Sequence, residues 1–332
     1  MGKGRLALGA LVPGHTRLCF PAYRDDPTVA PLEALPYAAV AADQRGELVV
    51  AAVESPNVAI VPEGRGVSPL REYAANALAR QLARCSREHE CSAARAGIGH
   101  GDLPVPLGAT MAERPRGPVA LRSGYAGAPA EMAAFRPTAR EIVEVAATHL
   151  ERGGTGVSFG RACDGEPLLR VRVLEEAIAG IRERAPAANI HLETCGSDPA
   201  ALRRAAEAGL TSVTVRLGSA RGDTYERLHG PIAHRWADVR TSLQAAVERR
   251  IRVTIALLVL PGLSDRPEEL DAIVALLGEL RGGRLELRDL GADPLRVLAG
   301  FPAARPVGMR ALLARMAEAD HFQMGTPSPA AV

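Results

Sequence analysis

Asn189-Ile-His-Leu-Glu-Thr-Cys195 is followed by Asp198-Pro199, an Ala-rich run ending at Gly209, and then Thr211-Ser-Val-Thr-Val-Arg-Leu217. The first and last runs predict short β-strands. Between them Asp198 predicts a helix N-cap, Pro199 its first turn and Gly209 its stop. Two strands joined by a helix need a crossover connection, so they lie parallel in one sheet. The same order continues on both sides. Strands are expected over 155–160, 252–260 and 284–290. Helices are expected over 138–152 (with Pro137 as a start signal), 171–184, 234–249, 266–280 (with Asp265 as a cap) and about 307–319. A short strand over 105–109 brings the strand count to six. Six βα units make an α/β fold, either a partial barrel or a doubly wound sheet, and periodicity does not separate the two.

The remainder of the chain has a different texture. Residues 1 to about 67 read as β-rich, with apolar runs over 5–11 and 35–42. Gln44-Arg-Gly-Glu47 reads as a hairpin turn leading into 48–53. Pro and Gly cluster over 56–69, a helix is expected over 71–89, and 111–136 is rich in Arg, Gly and Pro with little periodicity. The expected division is a small mixed domain over 1–103, the barrel-sized unit over 104–320 and a disordered tail over 321–332.

Composition narrows the function classes. Of 332 residues, 47% are apolar and 23% charged, which are globular values. Basic and acidic residues nearly cancel, at 40 against 38, which argues against a nucleic-acid coat or an electrostatic membrane binder. Aromatics at 3% leave little for base stacking. The longest apolar run, near 253–260, is too short to span a bilayer. Lys3 is the one lysine beside abundant Arg and Ala, a bias that points to a GC-rich bacterial genome and makes Arg runs uninformative. Five cysteines are no disulfide framework, and a cytoplasmic location is expected.

Ligands of parallel α/β sheets bind beyond the carboxyl ends of the strands. Those ends carry Gly160-Arg-Ala-Cys-Asp-Gly-Glu-Pro-Leu-Leu169, Glu193-Thr-Cys-Gly-Ser197, Arg216-Leu-Gly-Ser219, Pro261-Gly-Leu-Ser-Asp265 and Arg288-Asp-Leu-Gly291. Polar and glycine residues thus gather on the face where small-molecule sites form. Gly160 and Gly165 have the outer spacing of a phosphate-binding loop, but Glu166 stands where its lysine should be, so a nucleotide triphosphate is excluded. Cys85, Cys91, Cys163 and Cys195 could converge on a zinc ion or an iron–sulfur cluster, and Cys85 and His89 share one helical face. Cys19 is expected in a core. His149 is expected at a surface or partly buried helical position, and His229 and His234 flank a loop on the ligand face. Trp236 is expected to anchor packing.

Gly165-Glu166-Pro167 resembles the Gly-Gly-Glu-Pro motif of radical SAM enzymes, whose backbone and Glu receive the amino group of S-adenosylmethionine (SAM). The wider stretch Val157-Ser-Phe-Gly-Arg-Ala-Cys-Asp-Gly-Glu-Pro-Leu-Leu169 is similar to the Ser-Phe-Gly-x-Gly-Cys-Glu-Gly-Glu-Pro-Leu-Leu segment of one uncharacterised group in that superfamily. Ala208 to Ala220, Leu258 to Asp265 and Leu287 to Pro294 resemble that group's fourth, fifth and sixth strands, and Leu82 to Ala93 resembles an upstream segment with two cysteines at the same spacing. The resemblance spans roughly residues 5–295. It implies a partial (βα)6 TIM barrel and a SAM site that includes Gly165, Glu166, Pro167, Thr194, Arg216 and Ser219.

The departure from the pattern is as informative. The superfamily holds a [4Fe–4S] cluster with Cys-x3-Cys-x2-Cys after the first strand, because iron–sulfur clusters select soft, anionic thiolates. This chain has no such triplet; aligned by eye, its positions are Glu113, Gly117 and Ala120. Three readings remain at this point. One is a divergent member that keeps a SAM or small-molecule pocket without standard cluster chemistry, as a non-catalytic binding or regulatory partner. Another is a working enzyme that ligates a cluster through Cys85, Cys91, Cys163 and Cys195. The third is a barrel enzyme of another class, using Glu166, Glu193, Asp289 and Arg288 as acids and bases. No partner protein is specified.

Overall fold

The computed structural model describes residues 9–11, 16–18, 37–42, 45, 47–50, 52–54, 75–88, 99, 101–108, 135–161, 165–230, 234–280, 283–289, 297–318 and 322–325. The chain divides into two compact units. One takes residues 1–60 with 291–303, the other 61–290 with 304–332. The helix that was expected within the N-terminal domain therefore belongs to the second unit.

The first unit contains β1 (Gly9–Leu11), β2 (Thr16–Leu18), β3 (Tyr37–Ala42), β4 (Leu48–Val50) and β5 (Ala52–Glu54). β3 lies between β1 and β4, antiparallel to both, and β2 pairs antiparallel with β5. The β3–β4 register sets Ala42 opposite Leu48; Gln44 and Gly46 of the expected turn over 44–47 lie outside the described residues.

The second unit opens with α1 (Ala77–Glu88) and β6 (Asp102–Val105). It then runs α2 (Ala139–Glu151), β7 (Gly156–Phe159), α3 (Val171–Arg184), β8 (Asn189–Thr194), α4 (Pro199–Glu207), β9 (Ser212–Leu217), α5 (Gly222–His229) and α6 (Trp236–Glu248). β10 (Arg252–Val259), α7 (Pro267–Leu280), β11 (Gly283–Asp289), α8 (Met309–Ala317) and β12 (Phe322–Gly325) complete it. The helix starts follow their capping residues. Thr138 and Glu141 form a capping box on α2, and the Asp198 carboxylate accepts from the N–H groups of Ala200 and Ala201 at 2.9 Å.

β6 to β12 form one sheet in strict chain order, every pair parallel. A doubly wound sheet reverses its strand order at a switch point; this order never reverses, as in a barrel wound in one direction. Three details differ from the sequence expectation. The first barrel strand is Asp102–Val105 rather than 105–109, because Gly99 and Gly101 turn the chain with positive φ just before it. A short helix, α5, follows β9 where none was expected. Phe322–Gly325 pairs with Gly283–Glu286 as a seventh strand, at the start of what was expected to be a disordered tail.

Successive strand residues face opposite sides, and the two sides differ sharply. Outward residues such as Phe159, Ile190, Leu192, Val215 and Ile255 are fully buried in one core with Ile142, Leu174, Ile178 and Leu243 of the helices. The opposite side carries Asp102, Ser158, His191, Glu193, Thr214, Arg216, Glu286 and Arg288, which the strand registers place on one face. On this face Arg288 Nη1 donates to Glu193 Oε1 at 2.8 Å, although β8 and β11 are three strands apart. In a flat sheet that separation is about 14 Å. The sheet therefore curls, and its polar side is the concave one: a partial barrel of the α/β class.

Candidate functional site at the strand ends

The turn after β7 is built from its glycines outward. Gly160 has φ +79°, and a Cβ there would stand 1.9 Å from the carbonyl oxygen of Glu193. Only glycine lets the chain turn so close to β8. Gly165, Glu166 and Pro167 lie buried beyond it, and Pro167 opens a 3-10 turn ending at Arg170. The Glu166 carboxylate accepts from the N–H of Leu168 at 3.2 Å, the N–H of Cys195 at 2.9 Å and the hydroxyl of Thr194. Its lone pairs are thus largely committed to the chain. The structure joins Glu166 and Thr194 as a latch between the Gly-Glu-Pro turn and the end of β8.

Two other expected ligand residues are also engaged. The Ser219 hydroxyl donates to Glu269 and accepts from the Arg221 N–H at 2.9 Å. Glu269, which also accepts from Thr224 at 2.6 Å, was missed in the sequence. Burial pushes its carboxyl up, partly countered by those two hydroxyls. Arg216 Nε stands 3.7 Å from Glu193 Oε1.

Glu193 is the hub of the concave face. It bonds bidentately with Arg288, at 2.8 and 3.3 Å, and has Arg161 Nε at 3.5 Å. Arg288 also donates to Glu286 at 2.9 Å, and Ser158 donates to Asp102. Burial alone would raise the Glu193 pKa; the guanidiniums of Arg216, Arg288 and Arg161 outweigh it and hold the carboxyl below its usual range. His191 Nδ1 is 2.8 Å from Ser212 Oγ. Burial and then the Arg161 charge drive its pKa down to about 3, so it is neutral. Arg161 and His191 were not singled out from the sequence. The available signal was alternation within strands that, covered on both faces, should read as continuous apolar runs.

Tyr225 lies at the same end of the sheet, its hydroxyl 2.9 Å from His234 Nε2 and its ring stacked on His229 at 4.0 Å. Burial, with His234 and Arg216 nearby, lowers the His229 pKa to about 3. Trp236 packs on Tyr225 and the core as an anchor. His149 corrects the expectation of a surface or partly buried position. It is fully buried, with the Gly99 N–H on Nδ1 at 3.0 Å and the Gly101 carbonyl 3.1 Å from Nε2.

Among the described residues, the donor set does not fit a [4Fe–4S] cluster. The positions corresponding to its triplet hold Glu113, Gly117 and Ala120 and, like Cys91, Cys163 and Cys19, lie outside the described residues. Cys85 is buried in the apolar core on α1, with Gln81 donating to its sulfur at 3.3 Å. Cys195 is partly covered; desolvation and the adjacent Glu166 carboxylate push its thiol well up, away from the thiolate a metal needs. Among the described residues no three His, Cys, Asp or Glu side chains are grouped to hold a metal ion, and no helix is long and apolar enough to cross a membrane.

Comparison with known proteins places these features. The radical SAM superfamily model matches residues 123–277, a little under half of the chain. Among solved structures, a radical SAM methyltransferase from Sphaerobacter thermophilus is 18% identical, over 59% of this chain and 60% of that one, with a TM-score of 0.39. Streptococcus suis SuiB bound to S-adenosylmethionine is 11% identical over 75% and 54%, with a TM-score of 0.47. Methylornithine synthase (PylB) is 13% identical over 79% and 83%, with a TM-score of 0.41. The chain thus spans less than two thirds of the first two proteins' length. No curated protein matches it. Residues 123–277, which match the radical SAM superfamily model, include strands β7 to β10 of the singly wound parallel sheet.

Proposed function

We propose that this chain is a cytoplasmic radical SAM barrel that binds SAM or a related small molecule at its strand ends, and in which standard cluster-dependent cleavage of SAM is absent or impaired. The donor set carries the reading. The Gly165–Glu166–Pro167 turn is a buried turn of fixed shape at the end of β7. The two described thiols are one in an apolar core and one kept protonated beside Glu166. SAM would lie against this turn and reach Arg216 with its carboxylate. Because the Glu166 carboxylate is already held by Thr194, Cys195 and Leu168, the ligand's ammonium falls to main-chain carbonyls of the turn. When bound, SAM supplies a methyl group or, with a reduced cluster, a radical; no step through a cluster is assigned to these residues. The protein's role is then that of a small-molecule-binding partner.

Anaerobic reconstitution with iron and sulfide, followed by iron and sulfide assay and equilibrium binding of SAM, tests this. The expected result is a folded protein that binds SAM saturably and retains no stoichiometric cluster. About four irons and four sulfides per chain, with a visible spectrum that responds to SAM, would overturn the cluster half. A folded protein with no SAM binding would overturn the other half.

A further inference from the structure

Arg161 follows Gly160 directly, and its side chain is only 9% exposed. A guanidinium carries five N–H donors. Yet its two acidic neighbours, Asp102 Oδ2 and Glu193 Oε2, both stand 3.5 Å away, well beyond the 2.7–2.9 Å typical of charge-assisted bonds. Its Nε meets no acceptor. Keeping a charged donor buried without hydrogen bonds is costly, and native interiors rarely do so.

Two more buried nitrogens on the concave face are in the same state: Nε of Arg288 and Nε2 of His191. His191 sits two residues before Glu193 on β8 and feels the charges of Arg161, Glu193 and Arg288. When the Ser212 hydroxyl donates to its Nδ1, Nε2 carries the proton and becomes a third unfilled donor. The acceptors nearby are already engaged. Asp102 takes the Ser158 hydroxyl, and Glu193 and Glu286 take Arg288. Three guanidiniums face three carboxylates here. The buried donors outnumber the acceptors left to them, and an oxyanion supplies acceptors of matching charge.

We infer that the concave face holds a binding site for the oxyanion of a small carboxylate- or phosphate-bearing ligand, anchored by Arg161 and flanked by Arg288 and His191. The site lies beneath the Gly-Glu-Pro turn and does not depend on SAM being the molecule bound there.

The test is titration calorimetry on the full chain with inorganic phosphate and, separately, malonate, with chloride at matched ionic strength as control. Saturable binding of one or both is expected, and which one saturates separates a phosphate from a carboxylate ligand. Arg161→Gln should weaken it at least about tenfold. Arg161→Lys keeps the charge but loses the fork, and should also weaken it about tenfold; it serves if the Gln variant does not fold. No saturable binding of either oxyanion, or binding as in the unaltered protein by the variant that folds, overturns the site. Failure to bind SAM in the same preparations would sink the preceding reading and leave this one standing.

Discussion

The two faces of the seven-stranded sheet are made from the same strands, often from adjacent residues, and are held by opposite physics. On the outer face Ile190 and Leu192 are fully buried against helices. On the inner face His191 and Glu193, their immediate neighbours, meet hydroxyls and guanidiniums. Apolar burial is non-directional and tolerates approximate packing. A buried charge network is directional, and each partner removed leaves another uncompensated. The outer face therefore secures the fold, while the inner face fixes a chemical geometry. That separation is what a binding barrel needs.

The largest effect should come from the outer face. Phe159 has no exposed surface and sits at the carboxyl end of β7 in the main core. Phe159→Ala removes its packing and leaves a cavity, at a cost of about 4 kcal/mol. Urea unfolding monitored by circular dichroism reads this directly. A loss of less than about 1 kcal/mol would mean that β7 is not packed as described.

Next comes the inner face. Glu193→Gln leaves Arg161, Arg216 and Arg288 without their common carboxylate, and about 3 kcal/mol should be lost. The pH dependence separates this from packing. Because the folded pKa of Glu193 is depressed, its contribution is complete above the ordinary carboxylate range and fades as pH falls through the depressed value. The Gln variant should lack that acid-side loss. Glu269 works in the opposite sense. Its raised pKa gives a contribution that is present at low pH and lost as pH rises through the raised value, so Glu269→Gln should remove an alkaline-side loss. Unfolding midpoints measured from acid to neutral pH check both slopes, and parallel profiles for the two variants would contradict the assignment.

How far this division could be read from the chain depends on how local its signals are. The βα order, the Pro137 start signal, the Asp198 cap and the Gly-Glu-Pro turn each lie within a few residues, and all were legible. Strand Phe322–Gly325 was not: four residues carry too little pattern to be told from a tail, and pairing with β11 makes them a strand. The concave network was half legible. Glu193, Arg216 and Arg288 could be placed at strand ends, but the Glu193–Arg288 bond joins strands three apart and exists only because the sheet curls. Arg161 and His191 lie close to Glu193 through β8 itself and its neighbour β7, and gain their meaning from the Arg288 that the curl brings across. Glu166 shows the complementary limit. Its motif was recognised, yet the Thr194 and Cys195 donors that occupy it lie on another strand.

That latch supplies a smaller and more specific effect. Glu166→Gln leaves one acceptor oxygen where the carboxylate served Leu168, Thr194 and Cys195, and should cost about 2 kcal/mol. It also removes the negative charge that helps keep the Cys195 thiol protonated. Alkylation of Cys195 by iodoacetamide, mapped by mass spectrometry, should therefore be faster in the variant at neutral pH. An unchanged rate would show that Glu166 does not govern the thiol.

The smallest effect is the sharpest check on depth as the deciding variable. Arg240 and Glu279 join α6 to α7 through two N–H···O bonds of 2.8 and 2.9 Å. That is the same guanidinium–carboxylate chemistry that joins Arg288 to Glu193. The difference is exposure: 43% and 46% for the surface pair, against 15% and 6% for the inner one. Water and salt screen the surface pair, and ordering two long side chains offsets much of its attraction. Arg240→Ala should cost about 0.5 kcal/mol and lose even that in high salt, whereas the Glu193→Gln penalty should persist there. If both penalties shrank together with salt, the inner network would be as wet as the surface, and the concave face could not hold its arginines in the fixed geometry that oxyanion recognition requires.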